Sequence, residues 1–145
     1  MKKIIIILLL FIATSVNASS IVMDIDSKRI LYEDNKDEQR LIASITKIMT
    51  AIIVIENTPN LNKIITVGEE VLTMYGTSIY LQVGEKISIK DLLYGLILRS
   101  GNDAALTLAI NTSKTEDNFV KLMNEKAKEL NMKNTIFNIM IRSNG

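Results

Sequence analysis

Neither histidine nor cysteine occurs in the 145 residues, tryptophan is missing, and proline is used once. The first two absences exclude the most. Without histidine there is no Ser-His-Asp triad and no imidazole base. Without cysteine there is no thiolate nucleophile and no disulfide, and without either residue no zinc site of the usual Cys/His kind. A hydrolase of this composition must take its base from a carboxylate or an amine. An excess of one charge is lacking too: 17 basic against 16 acidic side chains, with no long basic run, leaves no electrostatic footprint for nucleic acid.

What is present begins with an export signal. Lys2 and Lys3 precede an apolar run from Ile4 to Ala13, and Val16-Asn17-Ala18 offers the modest side chains a signal peptidase reads, which predicts cleavage after Ala18. A membrane-spanning helix needs about 20 apolar residues. The shorter run therefore reads as a signal, with an uncleaved anchor as the alternative. Setting residues 1–18 aside leaves 127 residues with a net charge of −1. That is enough for one domain with its own core, and an exported chain without disulfides must depend on that core.

Ile21, Met23 and Ile25 alternate with Val22, Asp24 and Asp26, and Ile30 to Tyr32 follow a polar turn, which predicts a β-hairpin. Glu33 to Arg40 is a charged connection. From Ala43 to Glu56, Ile45, Ile48, Met49 and Ile52 recur at helical spacing, and Ala51, Ile53, Val54 and Ile55 make the other faces apolar. This predicts a central helix buried nearly all round, ended by Asn57-Thr58-Pro59. A buried helix beside an exposed hairpin suggests an α+β layer structure. Residues 62–90 read as short pieces: Ile64–Val67 extended, Glu69–Met74 a turn or two of helix, then Ser78–Val83 and Lys86–Ile89 about Gly84-Glu85. Ser88-Ile89-Lys90-Asp91 resembles a cap opening a helix with Leu92, Leu93, Leu96 and Ile97 on its apolar face, ending near Arg99. A further helix starts at Asp103. Ser113-Lys114-Thr115-Glu116 has capping-box spacing before the stripe Phe119, Val120, Leu122, Met123, Ala127 and Leu130. Thr135–Phe137 is a candidate strand start, and Tyr80 and Tyr94 read as packing residues.

With imidazole excluded, the useful question is whether a serine has an amine within helical reach. Ser44 and Lys47 stand at i and i+3, so their side chains share a face. Ser44 also lies at the helix start, where unpaired N–H groups and the dipole would stabilise an oxyanion. Apolar neighbours Ile48 and Met49 would desolvate Lys47, lower its pKa from about 10.4, and let it act as a base toward Ser44. On spacing alone, an N-cap serine followed by a surface lysine is the commoner explanation. Position favours chemistry, because a surface lysine is out of place in the most hydrophobic helix. Ser100-Gly101-Asn102 alone reads as a loop with an N-cap, and Ser15-Val16-Asn17 has the same form. Its interest is that a second hydroxyl and an amide between two helices could face the Ser44 helix. Asp103 reads as a helix-start charge rather than a base.

These pieces, with LYEDN, ASITKIMTA, KIITVGEEV, VGEKISIKDLLYGLILRSGNDAA and LNMKNTIF in that order over residues 20–137, resemble the serine D-alanyl-D-alanine carboxypeptidases, low-molecular-mass penicillin-binding proteins of the S11 peptidase type. The resemblance implies a β-lactamase/transpeptidase-like α+β fold, an antiparallel sheet with a helical cluster. It implies Ser44 as acyl-enzyme nucleophile, Lys47 as general base, Ser100 as proton relay to the leaving D-alanine, and Asn102 as a ligand of the substrate amide that helps hold Lys47. The substrate would be the D-Ala-D-Ala end of a peptidoglycan stem peptide, outside the cytoplasmic membrane. β-Lactams would acylate Ser44, and neither a metal nor an organic cofactor is implied.

After Phe137 the family pattern x-N-P-x-G-L gives way to Asn138-Ile139-Met140-Ile141, and no K-[ST]-G motif occurs. In the family that motif's strand binds the substrate carboxylate and supplies an oxyanion-hole N–H; losing one such donor costs on the order of 10² to 10³ in rate. The expectation is a domain cut before its C-terminal strands, through a shifted reading frame or an incomplete gene model, poorly stable and weakly active or inactive. Three other readings stay open: a β-lactamase, for which no carboxylate able to activate a deacylating water is recognisable, a non-catalytic secreted remnant that binds peptidoglycan or β-lactam, and a plain structural domain whose motifs arise by chance.

Overall fold

The computed structural model describes residues 19–138. The expected signal at 1–18 and the altered sequence from Ile139 onward lie outside the described residues. The chain divides into two units, one ending at Arg40 and the other beginning at Leu41.

The first unit is the expected hairpin. Strand β1 (Ser20–Met23) pairs antiparallel with β2 (Ile30–Asp34), Ser20 opposite Asp34, with a slip between Val22 and Met23. The Asp24 carboxylate closes the turn by accepting from Ser27 N at 2.7 Å and Ser27 Oγ at 2.5 Å. That local bond explains why a polar run between two apolar stretches turns rather than extends.

In the second unit a 3₁₀ turn, Ala43–Ile45, leads into α1 (Thr46–Asn57). Strand β3 (Ile64–Thr66), a 3₁₀ turn at Glu69–Thr73 and strand β4 (Lys86–Ser88) follow, with β3 and β4 antiparallel and Ile65 opposite Ile87. Then come α2 (Ile89–Arg99), α3 (Asn102–Ser113) and α4 (Glu116–Glu129). The α+β reading holds. Ser88 caps α2 as expected, accepting from Asp91 N at 3.0 Å and donating its hydroxyl to Asp91 Oδ2 at 2.5 Å.

The cap of α4 differs from expectation. Thr115, not Ser113, accepts from Asn118 N at 3.2 Å, while Ser113 ends α3 and donates back to Ala109 O at 2.9 Å. Lys114 takes a left-handed conformation between them (φ +70°), so the first extended residue available as a cap is Thr115. Ser78–Val83 and Thr135–Phe137 form no strand. At the latter, the Asn124 side chain takes a partner strand's place: Oδ1 accepts from Phe137 N at 2.9 Å and Nδ2 donates to Phe137 O at 2.7 Å.

The larger correction concerns which helix is central. Residues Asp103–Ala109 of α3 are all buried, and α3 packs against α1, α2 and α4. Ala104, Ala105 and Ala109 let neighbouring helices approach from several sides, a consequence of small size that the apolar pattern of a sequence does not register. Helix α1 is one-sided instead: Lys47, Thr50, Ala51, Ile53 and Val54 point inward, whereas Ile45, Ile48 and Ile55 are more than half exposed. Of the expected stripe only Met49 is buried. Tyr80 and Tyr94, expected to pack, are exposed as well.

Thr107, in the middle of α3, is fully buried and its hydroxyl has no hydrogen-bond partner among the described residues. Thr107→Val keeps the shape and removes the unmet hydroxyl, so it is expected to stabilise the fold by about 1 kcal/mol. Urea unfolding checks this as a higher midpoint at unchanged slope; a lower midpoint would mean that the hydroxyl is satisfied in solution. Among the described residues no helix is long and apolar enough to cross a membrane.

Candidate active site

Ser44 sits in the 3₁₀ turn that delivers the chain into α1, and it is exposed. Ala43, just before it, adopts a left-handed conformation (φ +44°), a geometry that costs a non-glycine residue about 1–2 kcal/mol. Strain of this kind persists only where surrounding structure enforces it. Ser100 is left-handed too (φ +54°), ending α2 while Gly101 N donates to Gly95 O at 3.2 Å. The two strained turns carry the two serine hydroxyls.

Lys47 lies one turn along α1 with 5% of its surface exposed. No ion pair holds it among the described residues. Its Nζ instead donates to the Ser100 carbonyl oxygen, to Ser100 Oγ at 2.8 Å and to Asn102 Oδ1 at 2.8 Å. Ser100 Oγ lies 3.1 Å from Ser44 Oγ. The structure thus brings all four sequence-predicted residues together, in an order that spacing did not reveal. Ser44 reaches the amine through the Ser100 hydroxyl.

Burial desolvates the Lys47 amine and pushes its pKa below the ordinary lysine value, and the negative charge of Asp103 opposes this only in part. A neutral amine has two N–H donors and one lone pair. With the Ser100 carbonyl and Asn102 Oδ1 taking the two donors, the lone pair is left for the Ser100 hydroxyl. Hydroxyl hydrogens rotate freely, so Ser44 can donate to Ser100 while Ser100 donates to Lys47.

Asp103 stands in the first turn of α3, as expected of a helix-start charge, and it is 2% exposed. Burial alone would raise its pKa, but hydrogen bonds from the Ser78 hydroxyl and from the backbone N–H groups of Leu81, Ile79 and Ala104 outweigh this and hold the carboxyl below its usual range. One signal in the sequence pointed there: an acid immediately before the run Ala104-Ala105-Leu106 must be partnered if that helix is buried.

A family model described as D-alanyl-D-alanine carboxypeptidase, peptidase S11, matches residues 12–140. The chain belongs to the peptidase S11 family. Over 123 residues this S11 chain is 37% identical to the D-alanyl-D-alanine carboxypeptidase DacF of Bacillus subtilis (strain 168), covering 82% of this chain and 32% of that protein. The crystal structure of D-alanyl-D-alanine carboxypeptidase DacD from Francisella tularensis superposes with a TM-score of 0.83 at 32% identity, covering 91% of this chain and 33% of that one. Penicillin binding protein 6B from Escherichia coli gives a TM-score of 0.80 at 32% identity, covering 86% of this chain and 42% of that one. The expected transpeptidase-like fold is therefore found. This S11 chain spans about a third of the length of the curated relatives it matches.

Proposed function

We propose that the chain carries the nucleophile and base of a serine D-alanyl-D-alanine carboxypeptidase that trims peptidoglycan stem peptides outside the cytoplasmic membrane, reached through the export signal. The observation that carries this reading is the continuous hydrogen-bonded path from the exposed Ser44 hydroxyl through Ser100 to the buried Lys47 amine. Ser44 Oγ attacks the carbonyl carbon of the penultimate D-alanine as its proton moves to Ser100 and the Ser100 proton moves to Lys47. The positive end of the α1 dipole, just beyond Ser44, favours the developing oxyanion. When the tetrahedral species collapses, the C–N bond breaks and the leaving D-alanine nitrogen takes a proton back from Ser100, which is resupplied from Lys47. Water then cleaves the ester at Ser44.

Asn102 Oδ1 holds Lys47 in this scheme, and β-lactams enter the same path because their strained amide presents the same carbonyl. A β-lactamase would need a carboxylate free to activate the deacylating water. Asp103, the acid nearest this network, has both oxygens committed to other donors.

Intact-mass analysis of the full chain with benzylpenicillin tests the proposal. A stable adduct that disappears in Ser44→Ala is expected, formed slowly because the chain has no K-[ST]-G motif to supply an oxyanion donor. No adduct on the folded wild type would leave only non-catalytic binding, and an adduct lost within seconds would point to the β-lactamase.

A further inference from the structure

Resting on that reading, we infer that Asp103 is a positioning residue: its buried carboxylate ties residues 78–81 to the head of α3 and so fixes the Asn102 amide with its oxygen on Lys47.

Four donors converge on this one carboxylate. Oδ2 accepts from Ser78 Oγ at 2.5 Å and Leu81 N at 3.0 Å, Oδ1 accepts from Ala104 N at 2.9 Å, and Ile79 N lies 3.1 and 3.2 Å from the two oxygens. Three of these donors belong to one short segment that forms no strand or helix. Without the carboxylate, the N–H groups of Ile79 and Leu81 would have no other partner among the described residues. Asn102, the preceding residue, grips the chain just before that segment: its N–H donates to Thr77 O at 2.7 Å and its Nδ2 to Tyr75 O at 2.6 Å.

That second bond fixes the orientation of the amide. Because Nδ2 is committed to a carbonyl, Oδ1 must turn the other way, toward Lys47. Gly76 is left-handed (φ +86°), and a Cβ there would lie 3.0 Å from Asn102 Nδ2. A Cβ on Gly95 would come within 2.6 Å of Ile79 Cδ1. The segment is thus seated closely against α2 and the head of α3, and Asp103 supplies the polar half of that seating. Its charge has a second effect. Among the described residues Asp103 is the charged group that acts on Lys47, where it opposes the desolvation of the amine.

The test compares the full chain as wild type, Asp103→Asn and Ser78→Ala by three readouts: amide exchange at Ile79 and Leu81, NMR titration of the Lys47 amine, and benzylpenicillin acylation per folded molecule. Asp103→Asn places an amide N–H₂ among N–H donors. Exchange at Ile79 and Leu81 is expected to quicken by at least about tenfold, and acylation, compared at a pH where Lys47 is neutral in every variant, to slow by at least about tenfold. The Lys47 midpoint should move to lower pH, because the charge that favoured the protonated amine is gone. A purely structural role would not move that midpoint. Ser78→Ala keeps the charge, so exchange quickens and acylation slows while the Lys47 midpoint stays. If Asp103→Asn does not fold, Ser78→Ala decides alone. Wild-type exchange and wild-type acylation in the folded variants overturn the proposal. A wild type that takes no adduct sinks the acylation reading instead, and exchange with the Lys47 titration then upholds or overturns the clamp by themselves.

Discussion

Acylation of Ser44 by benzylpenicillin is expected to fall by about 10² to 10⁴ in Lys47→Arg, the range that a positioned general base contributes. Arginine retains the positive charge and most of the length, and it cannot lose its proton in a protein. If Lys47 served only to hold Ser100 and Asn102 by charge, arginine would replace it at small cost. The prediction is therefore about proton acceptance. It follows from the burial of an amine whose hydrogen-bond partners are two carbonyl oxygens and one hydroxyl, where desolvation outweighs the charge of Asp103 that favours the protonated form.

The pH dependence has a definite sign. Only the neutral amine accepts a proton, and desolvation lowers the Lys47 pKa, so wild-type acylation should rise with pH through a midpoint below the ordinary lysine value of about 10.4. Folding follows the same logic. Between the lowered folded value and about 10.4 the unfolded chain binds more protons at Lys47, so stability rises with pH across that window. Stopped-flow acylation from pH 6 to 10 checks the kinetic limb. A Lys47→Arg rate within about threefold of wild type, or a flat wild-type profile, would remove Lys47 as the base.

The second large effect is structural. Phe119→Ala is expected to cost about 3–5 kcal/mol, the usual range for emptying a buried phenylalanine site. Phe119 is the largest of the fully buried side chains, on the face of α4 shared with Met123 and Ala127. Helix α4 packs on α3 and α1, so the space vacated lies behind the helices that carry Asn102 and Lys47. Urea unfolding should show the midpoint lowered with the slope kept. A loss below about 1 kcal/mol would mean that α4 closes over the gap, and that the core depends less on this ring than its burial implies.

How much of this was legible beforehand depends on the range of the interaction. The hairpin, the Ser88 cap, the end of α2 near Ser100 and the run of α4 are all set by neighbours within a few residues. Turn, cap and periodic side chains are adjacent in sequence, so the sequence could be read directly. The expectations that differ from the structure turn on a remote partner or on a backbone conformation that residue type does not specify. Thr135–Phe137 has strand-like residues, but its backbone pairs with the Asn124 side chain thirteen positions away. The cap of α4 moved by two residues because Lys114 turned left-handed, a local choice made by the end of α3.

The chemistry divides in the same way. Missing histidine and cysteine forced the base to be an amine or a carboxylate, and the i, i+3 spacing put Ser44 and Lys47 on one face. Those conclusions needed composition and helical geometry only. That Lys47 is buried, that it meets Ser44 through Ser100, and that Asp103 clamps the segment beside Asn102 depend on contacts spanning 22 to 56 positions. The apolar run likewise marked α1 without naming the face it buries, because apolar side chains outnumber the places inside and the packing of α3 decides which of them enter. Residue types and near neighbours settle which groups could do chemistry and which local turns form. Long-range packing settles which of those groups lose their water, and desolvation is what lowers the pKa of a lysine toward that of a base.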